Sequence, residues 1–424
     1  MDNGIDVDSI GWTTELRDFV QRHLDDCTAD LLLSAHKYVG IDVAFAVEQI
    51  EARRRLRAKL PEWYSNADLV MGGRVPAEQC SSEIVAKYKR SVIEGDSLCD
   101  MTGGMGVDFW YMSEGMRKAV YTERQEFLCR VARHNFSVLA DGRHPEVEVR
   151  CGDGRTLPIP PVDVIYVDPA RRGGDGSRVY AIEDCEPDVV AWQDELLSHA
   201  RMVLVKLSPM VDVTDVLRKM KNVTEMHVLA VRNECKEILI KQIGSAKQAC
   251  GEGLVGQGGL PEKCRIVCVD FFPAYTIKYS FTYSADDALA CAITDKGVMR
   301  YLYEPDVTLM KAQAWGNLCK GFSVCQLEHD TRLMTSDGLI EDFPGRIFLV
   351  EELTPFSSKV LKRLKRLIPQ ANISTRNFIL TADELRRRTG IKDGGDVYLF
   401  GTKVNGYGYM LLKCRKISLP LPSN

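Results

Sequence analysis

The feature that most constrains the fold is an alternation of short apolar segments with helical segments between residues 97 and 242. This alternation is typical of a parallel α/β sheet, because parallel strands need a long crossover, usually a helix, between them. We predict seven strands, at residues 97–100, 119–122, 147–150, 163–167, 202–206, 227–231 and 237–240. The last two follow each other closely, which indicates a doubly wound sheet whose final strand is antiparallel.

Residues 13–60, before the sheet, are predicted to be helical. An apolar stripe at helical spacing is formed by Leu16, Phe19, Val20, His23 and Leu24. A second helix is expected from residue 42 into a basic run at 53–59, ending before a proline. We interpret that run as a solvated face at a helix C-terminus, with contact to phosphates as the alternative.

The chain after the sheet divides into a loop at 241–262, a mixed segment at 264–340 and a final region. The final region predicts a helix at 358–367, a second helix with a capping box from Thr381 to Glu384 that ends at Gly390, and a hairpin turned at residues 405–406. A chain of 424 residues is long for one hydrophobic core. We predict a helical region at 1–75, the main sheet domain at 76–263, a small α+β domain at 264–342, for which a ferredoxin-like fold is one interpretation, and a basic α+β domain at 343–424.

A glycine-rich turn follows the first predicted strand. Asp100 ends the strand, and Gly103, Gly104 and Gly106 precede a helix. Glycines at such a turn let the backbone approach a ligand closely, because a side chain would fill that space. The spacing is not that of a dinucleotide-binding fingerprint, and no P-loop lysine follows, which disfavours both of those sites.

Acidic residues also follow the next three strands, as Glu123, Asp153 and Asp168. The carboxyl ends of parallel strands meet at one edge of a sheet, where ligands bind at the switch point. A single acid there is often a solvated strand-end residue, but four acids at one edge predict a binding site. Glu123 is placed to hydrogen-bond ribose hydroxyls, and Asp153 lies where an adenine amino group would be.

This order of motifs resembles the class I methyltransferases that bind S-adenosylmethionine. The resemblance implies an α/β fold with a Rossmann-like seven-stranded class I methyltransferase sheet, an N-terminal helical region and C-terminal α+β domains. The segment at 81–89 resembles one that precedes this fold in several RNA methyltransferases and closes over the cofactor. The implied residues for S-adenosylmethionine are Asp100, Thr102, Gly103, Gly104, Gly106, Glu123, Asp153 and Asp168.

The C-terminal region resembles the THUMP-like domain of bacterial methyltransferases, chiefly over residues 378–403. From residue 344 onward the chain carries fifteen Lys and Arg residues against six Asp and Glu residues, a balance of +9 within a chain of net charge −4. A basic module on an acidic body is expected where that module contacts a polyanion, although terminal domains also vary in charge without such a role. We therefore predict an RNA substrate that is bound through this region.

The fourth strand end, Asp168-Pro169-Ala170-Arg171, departs from the [Asp/Asn/Ser]-Pro-Pro-aromatic motif of enzymes that methylate amino groups of nucleic acids. Asp168 and Pro169 are the predicted catalytic residues, because the carboxylate can still accept from a target N–H. An arginine at 171 or 172 can stack on a base where the aromatic ring is missing. Residues 171–178 are predicted to form a substrate-binding lid. The predicted substrate-binding residues are Arg171, Arg172, Arg178, Lys206 and Ser208.

Composition limits location and chemistry. No basic segment followed by an apolar stretch begins the chain, and no run approaches the roughly 18 apolar residues of a membrane span, so we expect a cytoplasmic protein without membrane contact. The fourteen cysteines show no CxxC pair or zinc-finger spacing. We expect reduced, mostly buried thiols and no metal site. The oligomeric state is left open.

Three alternative functions remain open at this point. In the first, the acceptor of the methyl group is a protein, and in the second it is a small molecule. In the third, the chain is a non-catalytic RNA-binding protein that keeps the fold, although the complete set of cofactor motifs argues against this. Among the bases of RNA, a nitrogen is the favoured acceptor, since no Pro-Cys or Thr-Cys pair stands near Asp168 to attack a pyrimidine ring.

Overall fold

A computed structural model describes residues 10–171, 181–244, 264–284 and 291–418. The chain forms two compact units. The first contains residues 1–207, 219–223 and 239–258, and the second contains residues 208–218, 224–238 and 259–424. Within the described ranges, no helix is long and apolar enough to cross a membrane.

Within the described residues, six helices precede the first strand, and three of them lie in the range 13–60 that was predicted to be helical. Side chains of Thr13 and Asp42 cap two of them by accepting from backbone N–H groups. The stripe residues Leu16, Phe19 and Val20 are buried in one apolar cluster. The helices are α1 (Thr14–Arg22), α2 (Thr28–Leu33), α3 (Val43–Leu56), α4 (Pro61–Ser65), α5 (Arg74–Gln79) and α6 (Glu83–Val92), with a 3₁₀ turn at Ala35–Lys37.

Arg53 in α3 contradicts the prediction that the basic run is solvated, because its side chain is fully buried. The guanidinium donates to the carbonyl oxygens of Asn66 at 3.2 Å and Ala67 at 3.1 Å, and also to that of Leu69. Burial lowers the pKa of Arg53 to about 10. Arg54 and Arg57 of the same run are exposed, as predicted.

The sheet of the first unit contains the strands β1 (Ser97–Asp100), β2 (Lys118–Glu123), β3 (Val147–Cys151), β4 (Val162–Val167) and β7 (Ala200–Leu207), together with the second half of β9 (Glu234–Ile243). Their order is β9-β7-β4-β1-β2-β3, and β7, β4, β1, β2 and β3 are parallel. The crossovers are α7 (Val107–Ser113), α8 (Glu126–Leu139) and α9 (Val189–His199). The chain moves outward from β1 in both directions, so the switch point lies between β1 and β4.

A two-stranded antiparallel sheet, β5 (Ala170–Arg171) with β6 (Cys185–Glu186), follows β4, and a 3₁₀ turn at Ile182–Asp184 precedes β6. The predicted lid falls largely between these two strands. Its residues Arg172 and Arg178 lie outside the described residues, and only the backbone of Arg171 is described.

The second unit contributes β8 (Val223–Val231), the first half of β9, β10 (Arg265–Phe271) and β11 (Thr276–Thr282), in the order β11-β10-β8-β9, with α10 (Val213–Lys219) before them. A two-residue turn at Arg232 and Asn233, both with positive φ, joins β8 to β9 as in a hairpin. All seven predicted strands are therefore present, and the predicted class I methyltransferase architecture is confirmed. The predicted loop at 241–262 lies mostly outside the described residues.

A seven-stranded mixed sheet completes the second unit. Its strands are β12 (Tyr301–Pro305), β13 (Cys325–Gln326), β14 (Met334–Ser336), β15 (Gly345–Pro355), β16 (Asn372–Arg376), β17 (Val397–Val404) and β18 (Gly408–Lys416), in the order β13-β14-β12-β15-β18-β17-β16. Its helices are α11 (Val307–Lys311), α12 (Trp315–Phe322), α13 (Ser358–Leu367) and α14 (Ala382–Thr389). The helix at 358–367, the capping box, its end at Gly390 and the hairpin are confirmed.

Strands β12 and β15 are antiparallel neighbours, and a buried carboxylate links them. Glu304, which is 2% exposed, accepts from Arg346 of β15 at 2.6 Å and from Arg376 of β16 at 2.8 Å. Two guanidinium groups thus compensate one buried charge, which keeps its desolvation from destabilising the sheet.

The expectation of reduced cysteines differs from the structure at one pair in the second unit. Cys291 and Cys319 form a disulfide with a Cα–Cα distance of 5.8 Å. Six of the free thiols are buried, as expected for small apolar side chains, and those of Cys27 and Cys151 are exposed.

We expect Arg53→Met to lower the free energy of unfolding of the first unit by about 3 kcal/mol, because several buried carbonyl oxygens lose a charged donor. Urea unfolding followed by tryptophan fluorescence measures this change, since Trp12 lies beside the guanidinium. Arg57→Met is the control, because that side chain is exposed and its guanidinium lies 3.8 Å from the carboxylate of Asp25. Equal unfolding midpoints for the two variants would contradict a stabilising role for Arg53.

Candidate functional site

Four acidic side chains mark the carboxyl ends of the parallel strands in the first unit. Asp100 and Glu123 end β1 and β2, Asp153 lies two residues after β3, and Asp168 follows β4 directly. Because these strands are parallel neighbours, their ends lie at the same edge of the sheet.

Glu123 is buried, and both of its carboxylate oxygens accept from backbone N–H groups. Oε2 accepts from Gly104 N at 2.8 Å, and Oε1 accepts from Gln125 N at 2.8 Å. The Gly104 hydrogen bond ties the glycine turn to the end of β2. Each carboxylate oxygen has two acceptor positions, so Glu123 retains the capacity to accept from a pair of neighbouring hydroxyls, such as those of a ribose.

The glycines of the turn are required for reasons that differ from the one the sequence suggested. An alanine Cβ at Gly103 would lie 2.2 Å from the ring of Tyr121, and one at Gly106 would lie 2.7 Å from the ring of Phe136. These two positions therefore face the protein interior. Gly104 has φ +56°, a left-handed conformation that disfavours side chains, although a Cβ there would meet only an ordinary contact, 3.8 Å from the carbonyl oxygen of Thr102.

Asp100 is buried and stabilises the glycine turn through a hydrogen bond. It is 1% exposed, and its Oδ1 accepts from Thr102 N at 2.9 Å. Burial raises the pKa of Asp100, and the nearby carboxylates of Asp108, Asp168 and Glu123 raise it further. The hydroxyl of Thr102 accepts from Asp168 N at 2.6 Å, so one residue of the turn fixes the start of the segment after β4.

Asp153 lies at the end of the third strand and is partly exposed. Arg155 holds it through its side chain at 2.7 Å and its backbone N–H at 2.9 Å, and the hydrogen bond from the Arg155 side chain is the main reason that the pKa of Asp153 is lowered. An alanine at Gly154 would place its Cβ 2.6 Å from the carbonyl oxygen of Met101. The loop after β3 therefore packs directly against the glycine turn.

Asp168 forms an ion pair with the last basic residue of β7. Its Oδ2 lies 2.6 Å from Nζ of Lys206, and its side chain is about one-third exposed, at 36%. Pro169 is buried and Ala170 is exposed. The sequence prediction grouped Asp168 and Lys206 at the same end of the sheet, and the structure brings them into direct contact.

A buried polar cluster lies behind this ion pair and was not predicted. Asp108, in the first turn of α7, accepts from Lys89 of α6 at 2.7 Å and from the hydroxyl of Tyr166 at 2.8 Å. Nζ of Lys206 lies 3.6 Å from the same carboxylate. The signal available in the sequence was an acid directly after the glycine turn, but its partner is nineteen positions away.

Ser208, the remaining predicted substrate residue, belongs to the second unit. It directly follows β7, and its hydroxyl accepts from Met210 N at 3.2 Å. The described residues that the structure brings together are thus Asp100, Thr102, the three glycines, Glu123, Asp168 and Lys206, with Asp153 adjoining them.

Comparisons with known proteins agree with this architecture. A family model described as THUMP domain-like matches residues 345–416, and one described as a ferredoxin-like domain matches residues 301–344. The crystal structure of a candidate methyltransferase from Porphyromonas gingivalis is 34% identical, covers 97% of this chain and 99% of that chain, and has a TM-score of 0.85. Two Mycobacterium tuberculosis proteins described as uncharacterized S-adenosylmethionine-dependent methyltransferases are 23% identical over 369 residues, which is 86% of this chain and 94% of theirs.

We expect Gly103→Ala to destabilise the first unit by about 1–3 kcal/mol, because the added methyl group overlaps the buried ring of Tyr121. The displaced turn should also bind S-adenosylmethionine more weakly, as measured by calorimetric titration. Gly338→Ala is the control, since its Cβ would meet nothing within 4 Å. If Gly103→Ala unfolds at the same temperature as the wild type, the turn tolerates a side chain at this position.

The residues at the strand ends fit an adenosyl cofactor, because a buried carboxylate, a glycine turn and a second carboxylate adjoin one another as such a ligand requires. The chain is an enzyme, and its cofactor is S-adenosylmethionine. On the extent of its similarity to the Porphyromonas gingivalis protein, it belongs to a family of S-adenosylmethionine-dependent methyltransferases that carry a C-terminal THUMP-like domain.

Proposed function

We propose that this methyltransferase acts on RNA and transfers the methyl group to a nitrogen of a base, in the cytoplasm. The observation that carries the proposal is a stripe of exposed cations in the THUMP-like domain. These are Lys359, Lys362, Arg363 and Arg366 of α13, which we call the α13 stripe. Their spacing of three, four and seven residues aligns them along one helical face.

The opposite face of α13 is apolar and holds the helix on the sheet. Leu361 and Leu364 are buried in a cluster with Leu385 of α14. The fixed apolar face keeps the α13 stripe turned toward solvent. Arg387 and Arg388 of α14 are exposed as well. Cations arranged on rigid helices favour a polyanion, because neutralising phosphates releases bound counterions.

The proposed roles at the cofactor site follow from the contacts of each side chain. Glu123 accepts from the ribose hydroxyls, and Asp153 accepts from the adenine amino group. The glycine turn, with Asp100 and Thr102 beneath it, borders the methionyl part, as does Asp168. The bound cofactor supplies a methyl group on a positively charged sulfur, which makes that carbon electrophilic.

Asp168 is proposed to orient the acceptor nitrogen. Its carboxylate accepts from the N–H of the base and stabilises the positive charge that develops on nitrogen during in-line transfer. Holding nitrogen and methyl carbon near attack distance can contribute up to about 7–11 kcal/mol. Pro169 directly follows, and its buried ring keeps the carboxylate position rigid. Substrate contacts from Arg171, Arg172, Arg178, Lys206 and Ser208 stay predictions.

We expect the wild-type protein, given labelled S-adenosylmethionine and RNA from cells that lack the enzyme, to label RNA. Asp168→Ala removes the oxygen atoms that accept from the N–H of the base, so it should abolish transfer while the dissociation constant for S-adenosylmethionine, measured by calorimetry, changes little. Label recovered only on protein or on small molecules would reject RNA as the acceptor. If calorimetry detects no binding of S-adenosylmethionine to the wild-type protein, the alternative of a non-catalytic RNA-binding protein is favoured. Full activity of the Asp168→Ala variant would remove Asp168 from catalysis.

We expect a variant in which the four residues of the α13 stripe are changed to glutamine to bind RNA at least about tenfold more weakly, with a shallower dependence of affinity on salt. Filter binding at several salt concentrations measures both. The control is Lys413→Gln with Arg415→Gln, because both of these cations are already paired with Glu351, Lys413 at 3.1 Å and Arg415 at 2.6 Å. The stripe variant removes four charges and the control removes two, so an equal loss of binding free energy per charge removed would mean that only net charge matters.

A further inference from the structure

The side chain of Lys89 in α6 is fully buried and pairs with Asp108, the second residue of the helix that follows the glycine turn. Its Nζ donates to Asp108 Oδ1 at 2.7 Å and to Ser81 Oγ at 2.7 Å. Its side chain has no solvent exposure, and a lysine so placed is strongly disfavoured unless it is paired. No conventional cofactor or substrate role accounts for an ammonium group here.

Asp108 connects this lysine to Lys206 and Asp168, which lie at the edge of the sheet formed by the carboxyl ends of the parallel strands; we call this the reactive edge. The carboxylate is 9% exposed and accepts from Ser81 Oγ at 2.9 Å and Tyr166 OH at 2.8 Å through Oδ2. Nζ of Lys206 lies 3.6 Å from that oxygen, beyond hydrogen-bond range, but 2.6 Å from Asp168 Oδ2. Four charges of alternating sign therefore run from Lys89 through Asp108 and Lys206 to Asp168.

Lys206 stands between two carboxylates and contacts one of them closely. If the charge of Asp108 were uncompensated, Asp108 would compete with Asp168 for Lys206, because Oδ2 of each carboxylate lies within 4 Å of Lys206 Nζ. Lys89 removes that competition by engaging Asp108 from the opposite side. The two lysines also lower the pKa of Asp108 against the effect of its burial, so this carboxylate is ionised.

We infer that Lys89 is a positioning residue for methyl transfer: its ammonium group engages Asp108, which leaves Lys206 to hold the carboxylate of Asp168 at the reactive edge. The inference rests on the proposed function in so far as it takes Asp168 to orient the acceptor. The side chain of Lys89 is fully buried, so we expect it to act through Asp108 and Lys206 and not on the acceptor itself.

A purely structural role predicts something different. Replacing a buried charged pair by neutral groups is often close to neutral for stability, whereas removing one partner is destabilising. A structural role alone therefore predicts that a neutral pair restores folding, without any change in how Lys206 contacts Asp168. A positioning role predicts that this contact follows the charge on Asp108.

The test compares four proteins with the wild type: Lys89→Met, Asp108→Asn, the double variant, and Lys87→Met. Lys87 is the matched control, because it lies on the same helix but is half-exposed and pairs with Glu62 and Glu83. Crystal structures of each protein with S-adenosylmethionine give the distance from Lys206 Nζ to Asp168 Oδ2. Calorimetry gives cofactor affinity, and single-turnover transfer to RNA from cells that lack the enzyme gives the rate.

In Lys89→Met we expect Lys206 to move toward Asp108, its contact with Asp168 to lengthen beyond hydrogen-bond range, and transfer to slow by about 100-fold, as a misplacement of 1 Å can produce. The double variant should restore the short contact and most of the rate, because no uncompensated carboxylate is left to attract Lys206. Lys87→Met should match the wild type. Cofactor affinity should change by less than about threefold throughout.

An unchanged contact in Lys89→Met, or a double variant that is no better than Lys89→Met, would overturn the inference. If Lys89→Met does not fold, Lys89→Gln takes its place, because it keeps a hydrogen-bond donor for Asp108 but removes the charge: the contact between Lys206 and Asp168 must lengthen in Lys89→Gln and stay short in Asp108→Asn. The crystallographic distances need no acceptor. Absence of transfer to RNA by the wild type would therefore reject the proposed function, and the positioning role would still be decided by the distances.

Discussion

The hydrogen bond from the backbone of Gly104 to the carboxylate of Glu123 is the contact on which the site depends. It joins the turn after β1 to the end of β2 and fixes both relative to the sheet edge. Tyr121, one of the residues that the turn packs against, donates its hydroxyl to the carbonyl oxygen of Gly104. A loop that would otherwise be free to move is thus held by a strand that is itself buried. Preorganisation of this kind lowers the entropic cost of binding an adenosyl group.

Two ion pairs lie near the carboxyl end of β4. Asp168 and Lys206 form the outer, partly exposed pair, and Asp108 with Lys89 forms the inner, buried pair. Transfer from a sulfonium to an amine moves positive charge without creating any. A carboxylate at the destination is therefore useful only if it stays in place and keeps its charge. If Asp168 orients the acceptor as proposed, the inner pair keeps it in place without contributing a group to the reaction.

Local patterns predicted the strands, the caps and the order of the acids, because apolar periodicity and turn residues act over a few positions. Helix α13 and the capping box of α14 are examples. Burial of Arg53 could not be predicted, since its carbonyl partners lie in an irregular segment whose path depends on tertiary packing. The pairing of Lys89 with Asp108 is hidden for the same reason. At Gly103 the pattern pointed to the correct residue, but the reason is the ring of Tyr121, which no local pattern reveals.

The two family models in the second unit meet at residues 344 and 345, between strands that belong to one sheet. β12 lies on one side of that boundary and pairs along its length with β15 on the other, while Glu304 is held by arginines from beyond it. Removing the segment before that boundary would expose the edge of the eleven-residue strand β15. Removing the segment after it would leave the buried carboxylate of Glu304 without its two arginine partners. The THUMP-like part is therefore not a detachable module. A protein engineer who transplants this part of the chain would have to move residues 301–416 as a single piece.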